Sequence, residues 1–253
     1  MFYQEYLPCE ALRNVVACYW KFVAPEHIRE PFQHTAPPDG CVSLFLHRNV
    51  ALQIQYLALA SPSVEVLKTT VLPGSVYLGV RFLPGAFGCF FDIDLEMLRN
   101  QGQAFSLDTP FTALLPSLNA DFNDFDQLDA ILLQLKQSES DTEVQKAVQL
   151  ILDSQGQCKI KDIVSQAFVS ERPLQKRFRR AVGLSMKEFA RVRRMRTAIV
   201  QMVLHQQRSL DVSHEGGYYD QAHFLRDFQA FAQMKPSELQ DYLRRIAHGD
   251  IHW

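Results

Sequence analysis

Two periods of hydrophobic placement divide the chain. In the first half, short apolar stretches alternate with turn residues, the signature of strands. Val15–Val23 is rich in aromatic and β-branched positions (Val15, Val16, Tyr19, Trp20, Phe22). Cys41–Leu46 follows Pro37-Pro38-Asp39-Gly40, a turn signal in which glycine takes a positive φ at no steric cost. Val76–Phe82 is a further strand, stopped by Pro84-Gly85. Leu52–Leu59 fits either a strand or a buried helical turn. From about Asp92 the composition shifts toward helix. Asp126–Leu135 carries Leu128, Ile131, Leu132 and Leu135 at three-to-four spacing, one apolar helical face.

The polar stretch Gln137–Asp141 predicts a boundary. Beyond it the period is helical throughout. Ser140 and Glu143 make a capping-box pattern. Val144, Ala147, Val148, Ile151 and Leu152 then share a face, and Gly156 ends that helix. Lys159–Val182 reads as helix, turn, helix. Ile160, Ile163, Val164 and Ala167 face the core from the first helix. After Phe168-Val169, Ser170 is the expected N-cap of the second, Pro173 sits in its first turn, and Gly183 follows its end. Leu174, Phe178 and Val182 recur every four residues on its buried side.

The same unit appears again. Ser209-Leu210 opens a brief helix to about Glu215, Gly216-Gly217 turns the chain, and Asp220 caps a helix whose core pair is Phe224 and Phe228. Leu174 and Phe178 lie fifty residues before Phe224 and Phe228. Between the units, Ser185 and Glu188 form another capping box. It opens a long helix on which Phe189, Val192, Met195, Ala198, Ile199, Met202 and Val203 keep helical spacing to about Leu204. That is roughly 30 Å of rod at 1.5 Å per residue, close to the ~34 Å repeat of the major groove.

Length and composition fit this division. A chain of 253 residues suits one large or two modest domains, and 47% hydrophobic content suffices for packed cores. No apolar run reaches the roughly 18 residues of a membrane span, and the N-terminus has no secretory-signal pattern. The five cysteines are scattered with no Cys-x-x-Cys pair, which fits a reducing cytoplasm. The overall charge of −2 hides an asymmetry: residues 1–140 sum to −7 and residues 141–253 to +5. The basic half raises the case for a nucleic-acid partner, although +5 is modest.

Specific residues sharpen that case. Ser170-x-Arg172-x-Leu174-Gln175-Lys176-Arg177-Phe178, Gly183-Leu184-Ser185, Arg194-Met195-x-x-Ala198 and Gly217-Tyr218-Tyr219-Asp220-Gln221-Ala222-His223-Phe224 resemble the DNA-binding domain of AraC/XylS-type bacterial transcription regulators, over residues 141–245. Lys235-Pro236 stands where the family often has Ser-Pro, and Ser213 where alanine is usual. The resemblance and the helix faces together assign base reading to Arg172, Gln175 and Lys176 in the first unit and Gln221, His223 and Arg226 in the second. Arg and Lys suit guanine O6/N7, and Gln suits adenine N6/N7. Arg179, Lys187, Arg191, Arg193 and Arg194 are expected on phosphates, which set affinity and register but carry no sequence information. The alternative for each is an ordinary solvated helix face.

In the first half, Leu12-Arg13-Asn14-Val15-Val16, Tyr19-Trp20, Pro38-Asp39-Gly40-Cys41-Val42 and Gly79-Val80-Arg81-Phe82-x-Pro84-Gly85-Ala86 are similar to the N-terminal domain of one subset of these regulators. The resemblance implies an α+β chain: a β-rich, cupin-like regulatory domain at 1–120, helix and linker at 121–140, and an all-α DNA-binding domain at 141–253 with two helix-turn-helix units joined by a long helix. Three roles compete for the first domain. In an effector pocket, Arg81 is a candidate anion partner and His34 or His47 a polar wall; Arg81 equally suits pairing with a carboxylate. In self-association, Asp126–Leu135 serves as the packing helix. A cupin-type metal enzyme is disfavoured, because the close His-x-His is absent and His27, His34 and His47 stand apart. No Gly-x-Ser-x-Gly, Walker loop or His-Glu-x-x-His occurs, so no enzymatic activity, metal or cofactor is expected. The expected partners are promoter DNA, RNA polymerase, a small-molecule effector and a second copy of the chain, with no membrane. The competing functional reading is a protein-interaction module that modulates another regulator and binds DNA weakly and without sequence preference.

Overall fold

The computed structural model describes residues 2–24, 27–99, 103–105, 125–167, 170–203, 207, 211–213 and 216–246. The first half is antiparallel sheet. Strands β1 (Phe2–Tyr6), β2 (Val16–Val23), β4 (Val42–Asn49), β5 (Ile54–Ala60), β7 (Val76–Phe82) and β8 (Gln103–Phe105) pair in the order β1-β2-β7-β4-β5-β8. Strands β3 (Phe32–Ala36) and β6 (Leu67–Val71) form a separate two-stranded ribbon.

The period of two sends alternate side chains to opposite faces of the large sheet. On one face Leu44, Leu46, Leu78, Val80 and Phe82 are buried with Phe87, Phe90 and Leu95. Helix α1 (Phe125–Leu135) closes this face with Leu128 and Leu132. Its Asp129 carboxylate accepts hydrogen bonds from the Tyr19 hydroxyl and the Cys9 backbone N–H. The apolar stripe expected for self-association is therefore spent inside the chain. On the other face, Trp20, Phe22, Phe45, Tyr77 and Arg81 look toward the β3–β6 ribbon across a cavity. Gly79 lies between Trp20 and Phe45 in the register, and a Cβ there would meet the Trp20 indole.

The second half is helical. Helices α2 (Thr142–Asp153), α3 (Ile160–Ala167), α4 (Glu171–Val182), α5 (Met186–Val203), α6 (Gln221–Ala232) and α7 (Pro236–Ile246) share one core. Phe178, Phe189, Phe224, Phe228 and Phe231 are among its fully buried side chains. Helix α5 has 18 residues, roughly 27 Å. The helical faces expected from spacing are the buried ones, and the Ser185/Glu188 box forms: Glu188 Oε2 accepts from the Ser185 N–H at 2.9 Å, and Ser185 Oγ accepts from the Glu188 N–H at 3.2 Å.

Two expected caps differ. Asp141, not Ser140, caps α2, because its carboxylate accepts from both the Glu143 and Val144 N–H groups. Ser140 Oγ instead lies 3.1 Å from Cys89 Sγ. Ser170 does occupy the N-cap position of α4, but its side chain makes no capping bond. Of the brief helix expected from Leu210 to Glu215, Asp211–Ser213 is helical and the remainder lies outside the described residues, as do Phe168-Val169, Leu204 and Ser209. Ser213 is buried. Lys235 has no side-chain acceptor to cap α7, and Glu238 compensates by accepting from the Lys235 N–H at 3.0 Å.

The halves meet through several named contacts. Arg99 pairs with Glu188 at 2.5 Å, Arg180 pairs with Asp92 at 2.8 Å, and the Leu95 N–H donates to the Arg180 carbonyl. Gly40 has φ +78°, and the ring of Phe189 occupies the space a Cβ would need, so this approach of turn to helix requires glycine.

Candidate functional site

The first candidate surface is the outer face of α4. Leu174, Phe178 and Val182 are buried, and Gly183 ends the helix in the left-handed conformation. The opposite side exposes Arg172, Lys176 and Arg179, with Gln175 half-buried and donating to Glu171 Oε1 at 2.8 Å. Among the described residues, the N-terminal half meets α4 at its C-terminal end, at Arg180 and Gly183. Three cationic side chains are therefore left uncovered on one face.

The corresponding face of α6 is fixed by its cap. Asp220 Oδ1 accepts from the His223 N–H at 2.6 Å, and Phe224 and Phe228 are buried. His223 and Arg226 are exposed and Gln221 half-buried. The His223 ring meets Tyr218 edge-on, and Arg226 Nε donates to the Ala222 carbonyl at 3.3 Å.

The five residues expected on phosphates separate into two groups. Arg179 and Lys187 are exposed. Arg191 instead pairs with Asp227 of α6 at 2.7 Å. Arg194 donates to the Gly156 carbonyl at 2.9 Å, with its guanidinium 5.8 Å from the Tyr218 ring centre. Arg193 donates to the Asp39 carbonyl at 3.3 Å, across the junction of the halves. These three arginines thus tie α5 to its neighbours.

The second site is the cavity, about 540 Å³. Trp20, Phe22, Phe45, Tyr77 and Val71 make its apolar wall, and Leu243 of α7 closes it from the helical half. Its polar end holds Arg81, whose Nη1 donates to Glu5 Oε1 at 2.8 Å, whose Nη2 donates to the Tyr3 hydroxyl at 3.0 Å, and whose Nε lies 3.2 Å from Asp39 Oδ2. Of the two roles open to Arg81, pairing with carboxylates is the observed one. Burial alone would raise the Asp39 pKa, but Arg81 and Arg196 outweigh it and hold the carboxyl below its ordinary value. Burial also pushes the Cys41 thiol up to about 12, so it stays protonated.

His34 lines the cavity and His47 does not. His47 is buried behind it, stacked on Tyr77 at 4.3 Å with Nε2 2.9 Å from Ser75 Oγ. His34 Nδ1 lies 2.6 Å from the Tyr242 hydroxyl, which also accepts from the Thr35 N–H at 3.1 Å. Sequence reasoning missed Arg196, a buried arginine of α5 that reaches the cavity wall. A signal existed: Arg196 falls four residues after Val192 and three before Ile199, inside the apolar stripe.

Comparison with known proteins agrees with this division. Residues 163–242 match the family described as a helix-turn-helix domain, and residues 4–103 match a domain of unknown function (DUF6597). No curated protein matches. Among solved structures, ToxT from Vibrio cholerae O395 bound to (E)-4-(8-methylnaphthalen-1-yl)but-3-enoic acid is similar in fold, with 12% identity, 89% of this chain and 99% of that chain covered, and a TM-score of 0.50. The C-terminal domain of AraT from Geobacillus stearothermophilus aligns at 19% identity over 45% of this chain and 94% of its own, with a TM-score of 0.38. The helix-turn-helix match falls on the helical half, where the paired motifs at Leu174–Phe178 and Phe224–Phe228 lie, and the domain of unknown function falls on the sheet half.

Proposed function

We propose that the chain seats α4 and α6 in two successive major grooves of promoter DNA, and that a ligand in the cavity tunes this binding. In this reading residues 1–120 are the regulatory domain, 121–140 the connection and 141–253 the reader. Arg172, Gln175 and Lys176 read base edges from α4, and Gln221, His223 and Arg226 from α6. Arg179 and Lys187 contact phosphates. Arg191 and Arg194 hold the two units in register, and Arg193 joins the reader to the regulatory half. The observation that carries the proposal is the uncovered face of α4, with Arg172, Lys176 and Arg179 exposed opposite a fully buried stripe.

The cavity supports an effector with an aromatic or aliphatic body along Trp20, Phe22 and Phe45 and a polar or anionic end near Arg81 and Arg196. The ToxT structure of similar fold holds an aromatic butenoic acid, a compound of that description. The indole N–H of Trp20 has no acceptor among the described residues, a donor available to such a ligand. Because Arg196 and Leu243 belong to the reader, a ligand touching them has different contacts in different domain arrangements. That difference is what a shift in population requires.

The test is binding of the full chain to duplexes selected from a randomised library, across a salt series. Expected are a steep fall of affinity with salt, sequence preference, and about 1–3 kcal/mol lost on Arg172→Ala. Unchanged binding by Arg172→Ala overturns the assignment of α4. Weak, sequence-indifferent binding favours the interaction-module reading.

A further inference from the structure

The fifty-residue repeat fixes more than the two core pairs. It also says which residue of α6 stands where each outward residue of α4 stands. Arg172 corresponds to Ala222, Gln175 to Leu225, Lys176 to Arg226 and Arg179 to Gln229. The register is secure because Leu174, Phe178, Phe224 and Phe228 are all fully buried, so both helices present the same side to their cores. The outward face of α4 thus carries three cations and an amide. That of α6 carries one cation, one amide and two apolar side chains.

A single exposed leucine is ordinary on a protein surface. Leu225 differs by its position, since it takes the place of the proposed base reader Gln175. It is 38% exposed, and Ala222 one turn before it is exposed too. Neither is needed by the core, which α6 serves with Phe224, Phe228, Phe231 and Ala232. The floor of the major groove presents one apolar group, the 5-methyl of thymine.

We infer that the two units read DNA by different chemistry: α4 by hydrogen bonds to purine edges, and α6 by seating thymine methyl groups against Leu225 and Ala222. This rests on the DNA-reading proposal above and adds the base that the second unit prefers. Gln221, His223 and Arg226 supply the second unit's polar contacts, as proposed above.

The test removes the methyl and nothing else. Duplexes are selected with the full chain, and the half-site whose preference survives Arg172→Ala is assigned to α6. Each dT of that half-site is then replaced by dU. A loss of about 3–5-fold is expected at the contacted thymines, the equivalent of about 0.8 kcal/mol per buried methyl, and no loss in the other half-site. Leu225→Gln installs the residue of the first unit. It is expected to abolish the dT-over-dU preference and move selection toward adenine, with an unchanged melting temperature. Equal affinity for dU and dT throughout the second half-site, or a selected half-site without thymine, overturns the inference while leaving DNA reading intact. Failure to select any sequence overturns DNA reading itself, and this inference with it.

Discussion

The Tyr242 hydroxyl on α7 sits 2.6 Å from Nδ1 of His34 on β3, joining the last helix of the helical half to the β3–β6 ribbon. The hydroxyl also accepts from the Thr35 N–H at 3.1 Å. Burial pushes the His34 pKa down to about 4.

This contact makes docking acid-sensitive. The unfolded chain takes up the His34 proton near pH 6.5 and the folded one near 4. The contribution of His34 to stability is therefore complete above about pH 6.5 and falls as pH drops toward 4. His34→Asn keeps an acceptor and does not titrate. It is expected to flatten the unfolding free energy over that interval, measured by denaturant titration at stepped pH. A curve parallel to the parent chain would assign the acid sensitivity elsewhere.

Arg81 and Glu5 form a buried pair, with the Glu5 side chain fully shielded. Removing one partner leaves an uncompensated charge, which costs on the order of 3–5 kcal/mol. Arg81→Met is expected to destabilise by that amount in equilibrium unfolding, and Arg81→Met with Glu5→Gln by clearly less. Equal losses in the single and double variants would show that the two charges do not depend on each other.

Arg191 and Asp227 join α5 to α6 at 2.7 Å, with Arg191 about two-fifths exposed. Solvent screening limits such a pair to about 0.5–1 kcal/mol in a double-mutant cycle. Arg191→Ala is expected to lower stability by that little and leave the salt dependence of DNA binding unchanged. Arg179→Ala is expected to reduce the salt slope by about one without affecting stability. A reduced slope for Arg191→Ala would return it to the phosphate contacts.

The cavity makes a ligand prediction. If the cavity takes the proposed effector, a compound with an aromatic body and a carboxylate end is expected to raise the melting temperature of the full chain, by the equivalent of about 2.7 kcal/mol at one hundred times its dissociation constant. Trp20→Phe removes the free indole donor and is expected to reduce the shift. No shift at any concentration of this compound would exclude it as a ligand.

The helical half was legible because its signals are local. Buried stripes such as Leu174–Phe178–Val182 and caps such as Asp220 lie within one or two turns. Among strands, β2, β4 and β7 stood out through β-branched and aromatic density. Strands β1, β3 and β6 did not, and β6 (Leu67–Val71) shows why: four of its five side chains are at least partly exposed, so no apolar alternation marks it. The bonds of Arg191 to Asp227 and of Arg194 to the Gly156 carbonyl span 36 and 38 residues, so no local pattern marks them in the sequence. Arg196 escaped because a charged residue inside an apolar stripe reads as an interruption, until Asp39 of the other half is known to stand near it.

Phe189 covering Gly40 bears on any attempt to separate the halves. A truncated reader would carry the uncovered edge of that ring into water, together with Leu243 and the buried guanidinium of Arg196. Severed from the sheet half, the helical half is expected to be a sticky, aggregation-prone fragment.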